Sequence, residues 1–404
     1  MSKSIPYGRQ NITDEDIQAV IETLKSDYLT QGPKIAEFEE AFSNYVGSKY
    51  AVAVSNGTAA LHLCTMVLNV QEGDKVITTP ITFAASANCV RFGGGEVVFA
   101  DIDPETYLLD INKVKDLLAA SPKGTYKGII PVDFAGRAVY MEAFRKLADE
   151  YDLWIIEDSC HAPGGYFMDS DAKQHQCGNG NFADLAIFSF HPVKHIACGE
   201  GGMITTNNEK LYEKLLQLRT HGIVKDEKKY KNTLAFANGL EESQISNLKS
   251  QTYPTWYMEM QDLGYNYRLT DFQAALGSSQ LKRADEGLAK RKEIASTYLE
   301  AFKDKAFILG QSGVVKGHAY HLYVIEVENR LGLYNYLREQ NIFAQIHYIP
   351  CHLMPYYRQL GWKEGDMPNA ENYYKQCISL PMYPTLTEEE QSFVIEKIIE
   401  FYNV

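Results

Sequence analysis

The residues with the clearest chemical potential cluster around one lysine. Lys194 lies in I-F-S-F-H-P-V-K-H-I-A-C-G-E-G-G-M-I-T, residues 187–205. An apolar run from Leu185 to Phe188 predicts a buried strand, and Pro192 forces a turn after it. Gly199, Gly201 and Gly202 follow before a second apolar run begins at Met203. Lys194 is thereby placed on an irregular connection between two strand-like segments, where glycine permits unusual backbone conformations. An amine held among apolar and aromatic neighbours loses hydration, which disfavours its ammonium form and makes it a usable nucleophile near neutral pH. The same pattern also describes a solvated lysine in a glycine-rich hairpin.

Other residues gain meaning from their position. Asp158 closes the apolar run L-W-I-I-E-D, where a carboxylate can hold a protonated heterocyclic nitrogen or simply cap the next helix. Gly57 and Thr58 in S-N-G-T-A-A-L-H-L-C open a helix whose first turn lacks bulk. Its free N–H groups suit an anion, although many helices begin this way for capping reasons alone. Phe83 can stack on a planar group or fill a core. His161 can donate to a phenolic oxygen or sit satisfied in a loop. His191 and His195 have metal-like i, i+4 spacing, but Pro192 lies between them and no carboxylate partner is obvious, so no metal site is expected.

The elements that must position these residues alternate. Strands are predicted at 51–54, 75–78, 96–100, 128–132, 153–157 and 185–190, with helices between most of them, as at 111–120 and 141–150. Such alternation predicts a mostly parallel sheet between helices, with ligands at the carboxyl ends of its strands. Two helices precede it, at 13–25 and 34–46. Residues 224–261 read as a polar excursion. Beyond them come a long helix to about residue 303, strand-like segments at 321–327 and 343–347, and helices at 331–340, 370–378 and 388–402.

Composition narrows the function. The 404 residues carry a net charge of -13, which argues against a nucleic-acid partner, because phosphate binding needs a basic face. No apolar leader or membrane-length run appears. The seven cysteines are scattered, without a C-x-x-C pair, and read as free thiols of a cytoplasmic protein.

Together the segments resemble the fold-type-I pyridoxal-phosphate enzymes, specifically the sugar-nucleotide aminotransferases of the DegT/DnrJ/EryC1/StrS family. The resemblance rests on L-T-Q-G-P, S-N-G-T-A-A-L, T-P-I-T-F-A-A-S-A-N, E-D-S-C-H-A, F-S-F-H-P-V-K, G-E-G-G-M-I-T-T-N and Y-N-Y-R-L-T-D-F-Q-A-A-L-G, in the family's order. It implies a large cofactor-binding domain over residues 1–285, with the excursion near 225–260, and a small C-terminal α/β domain over 286–404. It implies pyridoxal 5'-phosphate as cofactor, passing through pyridoxamine 5'-phosphate. Lys194 becomes the Schiff-base lysine, Asp158 the partner of the ring nitrogen and Phe83 the stacking ring. Gly57, Thr58 and Ser189 would hold the phosphate. Asn266 would reach that phosphate from the neighbouring subunit, implying a homodimer with shared active sites.

One departure carries information. The wider family usually has Gln where this chain has His161. A histidine there, with T-T-P-I-T-F, D-F-A-G, S-F-H-P-V-K and A-Q-I-H-Y-I-P, looks like the branch that makes UDP-4-amino-4,6-dideoxy-N-acetyl-β-L-altrosamine for pseudaminic acid. By that likeness L-glutamate would supply the amino group to C4 of a UDP-linked 4-keto-6-deoxy-N-acetyl hexose. Tyr7, Asp27, Tyr28, Leu29 and Thr30, with Tyr320, His321, Leu322 and Tyr323, would line the nucleotide-sugar site. A 3- or 4-aminotransferase for another nucleotide sugar is the alternative. A sugar 3-dehydratase of the family would carry His in place of Lys194, and a non-catalytic relative would have no use for Lys194, Asp158 and Ser189 together.

Overall fold

The computed structural model describes residues 4–243 and 252–403. Its centre is a seven-stranded sheet, here β1 (Tyr50–Val54), β2 (Lys75–Thr78), β3 (Glu96–Phe99), β4 (Tyr126–Ile130), β5 (Trp154–Asp158), β6 (Leu185–Ser189) and β7 (Gly202–Thr206). The spatial order is β1-β7-β6-β5-β4-β2-β3. All pairings are parallel except those of β7, which runs antiparallel to both β1 and β6. That exception follows from the chain path, because residues 190–201, which join β6 to β7, form no crossover helix and turn the chain back beside β6.

The strands are apolar on both faces because helices cover both. Leu185, Ala186, Ile187 and Phe188 of β6 have no exposed surface. Burying side chains of the larger kind contributes roughly 1.5–3 kcal/mol each. The helix Gly57–Val67 enters straight from β1, and Asn56 caps it by accepting the Ala59 N–H at 2.8 Å. Nearly every residue of that helix is buried, so packing fixes its N-terminus relative to the strand ends.

A second apolar cluster gathers Ile5 with side chains from Ile294 to Ile398. It packs around a three-stranded antiparallel sheet of β8 (Ile308–Gln311), β9 (Tyr323–Val327) and β10 (Cys377–Leu380). The strand β10 was not expected, because its four residues follow the helix Pro368–Gln376 without a break. The segment expected as a strand at 343–347 is broken up: Ile342–Phe343 pair parallel to Ile5–Pro6, and Gln345 makes an isolated antiparallel bridge to Ser379. The polar excursion holds the short helix Leu234–Ala237 and a two-residue pairing of Ile223–Val224 with Glu259–Met260. Residues 244–251 of it lie outside the described residues. Among the described residues, no helix is long and apolar enough to cross a membrane.

Two acids brace the carboxyl edge of the sheet. Asp133 accepts the Val139 N–H and the Ser159 hydroxyl, each at 2.8 Å, and its neighbours include Glu157 and the Cys177 thiol. The three residues' polar atoms lie within 4.8 Å of one another, fully shielded from water. Burial raises Asp133 to about 6. Burial and then the Asp133 charge push Glu157 well above the usual carboxylate range, so Glu157 carries the proton. Because both folded-state values are raised, this pair favours the fold at low pH, and its contribution is lost as pH rises through about 6. Glu157→Gln keeps a donor toward Asp133 and is expected to keep stability within about 1 kcal/mol at low pH. It should shrink the loss of stability between about pH 5 and about pH 8 in denaturant titrations; an unchanged pH profile would remove the shared proton from this account.

Candidate active site

The strand ends converge on a cavity of about 620 Å³. Asn56, Gly57 and Thr58 enter it after β1, Thr82, Phe83 and Ser86 after β2, Asp158 and His161 after β5, and Ser189 and Lys194 after β6. Residues far apart in the chain meet there because a parallel sheet presents all its strand exits at one edge.

Asp158 is 5% exposed and fixed through both oxygens. Ser86 donates its hydroxyl to Oδ2 at 2.6 Å, and the Cys160 N–H reaches Oδ1 at 3.2 Å. Thr82 Oγ1 lies 2.8 Å from Ser86 Oγ and extends the chain of hydroxyls.

Lys194 sits on the turn after β6, held by its own N–H to the His191 carbonyl. Burial pushes its amine down to about 8, with Cys160 and Asp158 pulling the other way. Its Nζ lies 3.4 Å from His321 Nε2. The His321 ring packs 4.2 Å from that of His161. Burial first, and then the nearby Lys194 charge, keeps His161 and His321 far below the usual imidazole value; His347 is held at about 3 for the same reasons. These rings are therefore neutral at pH 7. His161 Nδ1 accepts the Ala135 N–H at 3.2 Å, which leaves the proton on Nε2, facing the Tyr348 hydroxyl at 3.3 Å.

The sequence expectations divide clearly when placed in space. The structure brings Lys194, Asp158, His161, Gly57, Thr58, Phe83, Ser189 and Tyr7 to one cavity. Of Tyr320, His321, Leu322 and Tyr323, His321 alone reaches Lys194. Tyr320, Leu322 and Tyr323 are at most 1% exposed and are committed to core packing, with the Tyr320 hydroxyl accepting the Val315 N–H. Asp27, Tyr28, Leu29 and Thr30 are exposed and do not line this cavity within their own chain, nor does Asn266, which is exposed beside Thr220. His191 and His195 part company: His191 lines the cavity, whereas His195 Nε2 donates to the Ala319 carbonyl at 2.8 Å.

Sequence reasoning passed over Ser86, Thr82, His347, Tyr348 and Tyr267. The first two lie inside T-P-I-T-F-A-A-S-A-N, and Ser86 is in the first turn of the helix Ala85–Phe92 that follows Phe83. That placement was the available signal. His347 and Tyr348 come from about 150 residues further along the chain than Lys194, and only tertiary structure joins them.

These residues fit pyridoxal phosphate on grounds visible in the structure. A Cβ on Gly57 would stand 3.1 Å from the Ser189 Cβ, so the bare glycine keeps open a cradle beside two first-turn amides. Phe83 is 63% exposed although it lines the cavity, which leaves a ring face for a planar group. The anchored Asp158 and the partly desolvated Lys194 supply the acid and the amine that such a ring needs.

Comparison with known proteins agrees. Residues 10–399 match the DegT/DnrJ/EryC1/StrS aminotransferase family. The spore coat polysaccharide biosynthesis protein SpsC of Bacillus subtilis is 38% identical, over 98% of this chain and 96% of its own. The UDP-4-amino-4,6-dideoxy-N-acetyl-beta-L-altrosamine transaminase of Campylobacter jejuni is 36% identical over 96% of this chain and 95% of its own. The structure of Helicobacter pylori PseC, an aminotransferase of pseudaminic acid biosynthesis, superposes with a TM-score of 0.85 at 30% identity, covering 99% of this chain and 100% of that one. This chain belongs to the DegT/DnrJ/EryC1/StrS family and is a pyridoxal-phosphate-dependent sugar aminotransferase.

Proposed function

We propose that the protein transfers the amino group of L-glutamate to C4 of a UDP-linked 4-keto-6-deoxy-N-acetyl hexose, UDP-2-acetamido-2,6-dideoxy-β-L-arabino-hex-4-ulose, on the route to pseudaminic acid. The observation that carries the transfer chemistry is Lys194 and Asp158 lining one cavity, the amine with its pKa brought down by burial. The sugar is supported by His161 and by the likeness to the Campylobacter and Helicobacter proteins.

When bound, pyridoxal phosphate supplies an electron sink for the carbon that gains or loses the amino group. The chain supplies the rest. The amides of Gly57 and Thr58 and the Ser189 hydroxyl would hold the phosphate at a helix N-terminus. Asp158 would hold the proton on the ring nitrogen, and Phe83 would offer a face to stack on the ring. His161, its Nε2 carrying the proton beside the Tyr348 hydroxyl, would be the donor available to the cofactor's phenolic oxygen. Lys194 would supply the amine that holds the cofactor and, when free, the base for the proton on the donor's α-carbon. The neutral His321 Nε2 gives the released amine an acceptor to rest against.

A homodimer with shared sites belongs to the same proposal. Tyr28 and Leu29 are 55% and 47% exposed, and Leu263 is 74% exposed. The Asp271 N–H donates to the Leu29 carbonyl and Thr30 bridges Thr270, which ties the 27–30 loop to the segment carrying Asn266. Exposed apolar groups such as these suit burial against a second copy, from which Asn266 and residues 27–30 would complete the neighbour's site. The division near residue 285 is supported by the second apolar cluster, whose members other than Ile5 lie between Ile294 and Ile398. A cytoplasmic setting is supported by seven unpaired cysteines.

Two outcomes test this reading. Incubation with candidate UDP-4-keto sugars and L-glutamate, followed by NMR of the product, should give an amine at C4; amination of a 3-keto sugar alone would contradict the assignment. Ser86→Ala leaves Asp158 without its hydroxyl donor and should lower kcat at least about tenfold, since a hydrogen bond to a charged group carries roughly 1.5–3 kcal/mol. Unchanged kcat would show that Asp158 needs no such anchor.

A further inference from the structure

The segment that carries His321 past Lys194 is gripped through its backbone. The Ala319 N–H donates to the Gly136 carbonyl at 2.7 Å, and the Leu322 N–H to the Ala135 carbonyl at 3.1 Å. From the turn bearing Lys194, His195 Nε2 donates to the Ala319 carbonyl at 2.8 Å. From the helix Ala284–Phe302, Arg291 Nη1 donates to the carbonyls of Tyr320 at 3.1 Å and His321 at 3.4 Å, and to that of Met382 at 2.8 Å. Tyr320 has a φ of +50°, a left-handed conformation that bulky residues rarely adopt and that surrounding contacts must enforce. Gly136 packs so close that a Cβ there would stand 2.8 Å from the Tyr320 nitrogen and 3.0 Å from that of His321.

Arg291 is more than these hydrogen bonds require. It is 1% exposed, its Nε has no partner, and burial brings it down to about 10, which leaves it charged at neutral pH. Among the described residues no carboxylate pairs with it. A neutral amide could donate to carbonyls without desolvating a charge. A second cavity, of about 450 Å³, has Arg291, His195 and Lys194 together in its wall.

We propose that Arg291 is a positioning residue for the transfer chemistry: its guanidinium fastens residues 320 and 321 so that His321 meets the Lys194 amine, and its unmatched charge bears on that amine across the second cavity. The assignment rests on the reading of Lys194 as the point of transfer. Burial is the main reason the amine stands at about 8; the Cys160 thiol and the Asp158 carboxylate, at the exit of β5, oppose it, and Arg291 reinforces it. The imidazoles of His161, His195, His321 and His347 are neutral at pH 7 and add no charge. A cation nearby disfavours a second positive charge, so removing it should favour the ammonium form of Lys194.

The test labels the full chain, freed of cofactor, with acetic anhydride over a pH series and follows the Lys194 peptide by mass spectrometry. Wild type should label with a midpoint near about 8. Arg291→Gln keeps a donor and loses the charge, so its midpoint should rise by about one pH unit; Arg291→Lys, which keeps the charge, should recover most of that rise. Gly136→Ala reaches the same segment from the other side with Arg291 intact, and serves if Arg291→Gln fails to fold. It should quicken hydrogen exchange at the Ala319 and Leu322 amides at least about tenfold and raise the Lys194 midpoint as water enters. An unmoved midpoint in either folded variant overturns the proposal, even with a lowered melting temperature, which a merely structural arginine would also give. So does Arg291→Lys behaving as Arg291→Gln. Failure of the underlying reading looks different: wild-type Lys194 would then label as an exposed lysine does, near about 10.4, and the proposal would fall with it.

Discussion

The structure depends on one amine kept short of water. Lys194 sits where two cavities meet, on a connection that forms no helix, with neutral imidazoles around it. A charge in that place loses hydration that no full counter-charge replaces, and the cost falls on the ammonium form. The flanking strands cannot relax to admit water, because β6 is buried on both faces and β7 is hydrogen-bonded on both sides. Rigidity in the sheet thus becomes a chemical property of one side chain.

The acid across the cavity is treated differently by the same sheet. Asp158 is as buried as its neighbours, yet it receives a hydroxyl and an amide, so its oxygens are held in place as acceptors. One residue earlier, Glu157 points to the far side of the strand and meets Asp133, where burial favours the protonated form. The alternation of a β-strand places two adjacent carboxyls in opposite electrostatic surroundings. One supports the loops at the sheet edge while the other faces the cavity.

Much of this was legible in the sequence. Alternating strands and helices gave the parallel sheet, and the apolar run ending at Asp158 placed that acid at a strand exit. Lys194 was located by the proline and glycines around it. What stayed hidden depends on tertiary packing. Nothing local distinguishes His321, which reaches Lys194, from Tyr320, Leu322 and Tyr323 beside it, which fill the core. Arg291 reads in sequence as an ordinary charge on a long Lys- and Glu-rich helix. Only folding shows that it is buried without a carboxylate. The strand β10 was missed because helix and strand abut with no turn residue to mark the change.

The central claim is tested most directly by the rate at which cofactor-free protein attaches pyridoxal phosphate covalently, followed from low to high pH, with borohydride reduction and peptide mass spectrometry to locate the attachment. The account predicts a single modified peptide containing Lys194 and a rate that levels off above about 8, the value to which burial brings this amine. Attachment at another lysine, or a rate still climbing where an exposed lysine titrates, near about 10.4, would contradict it.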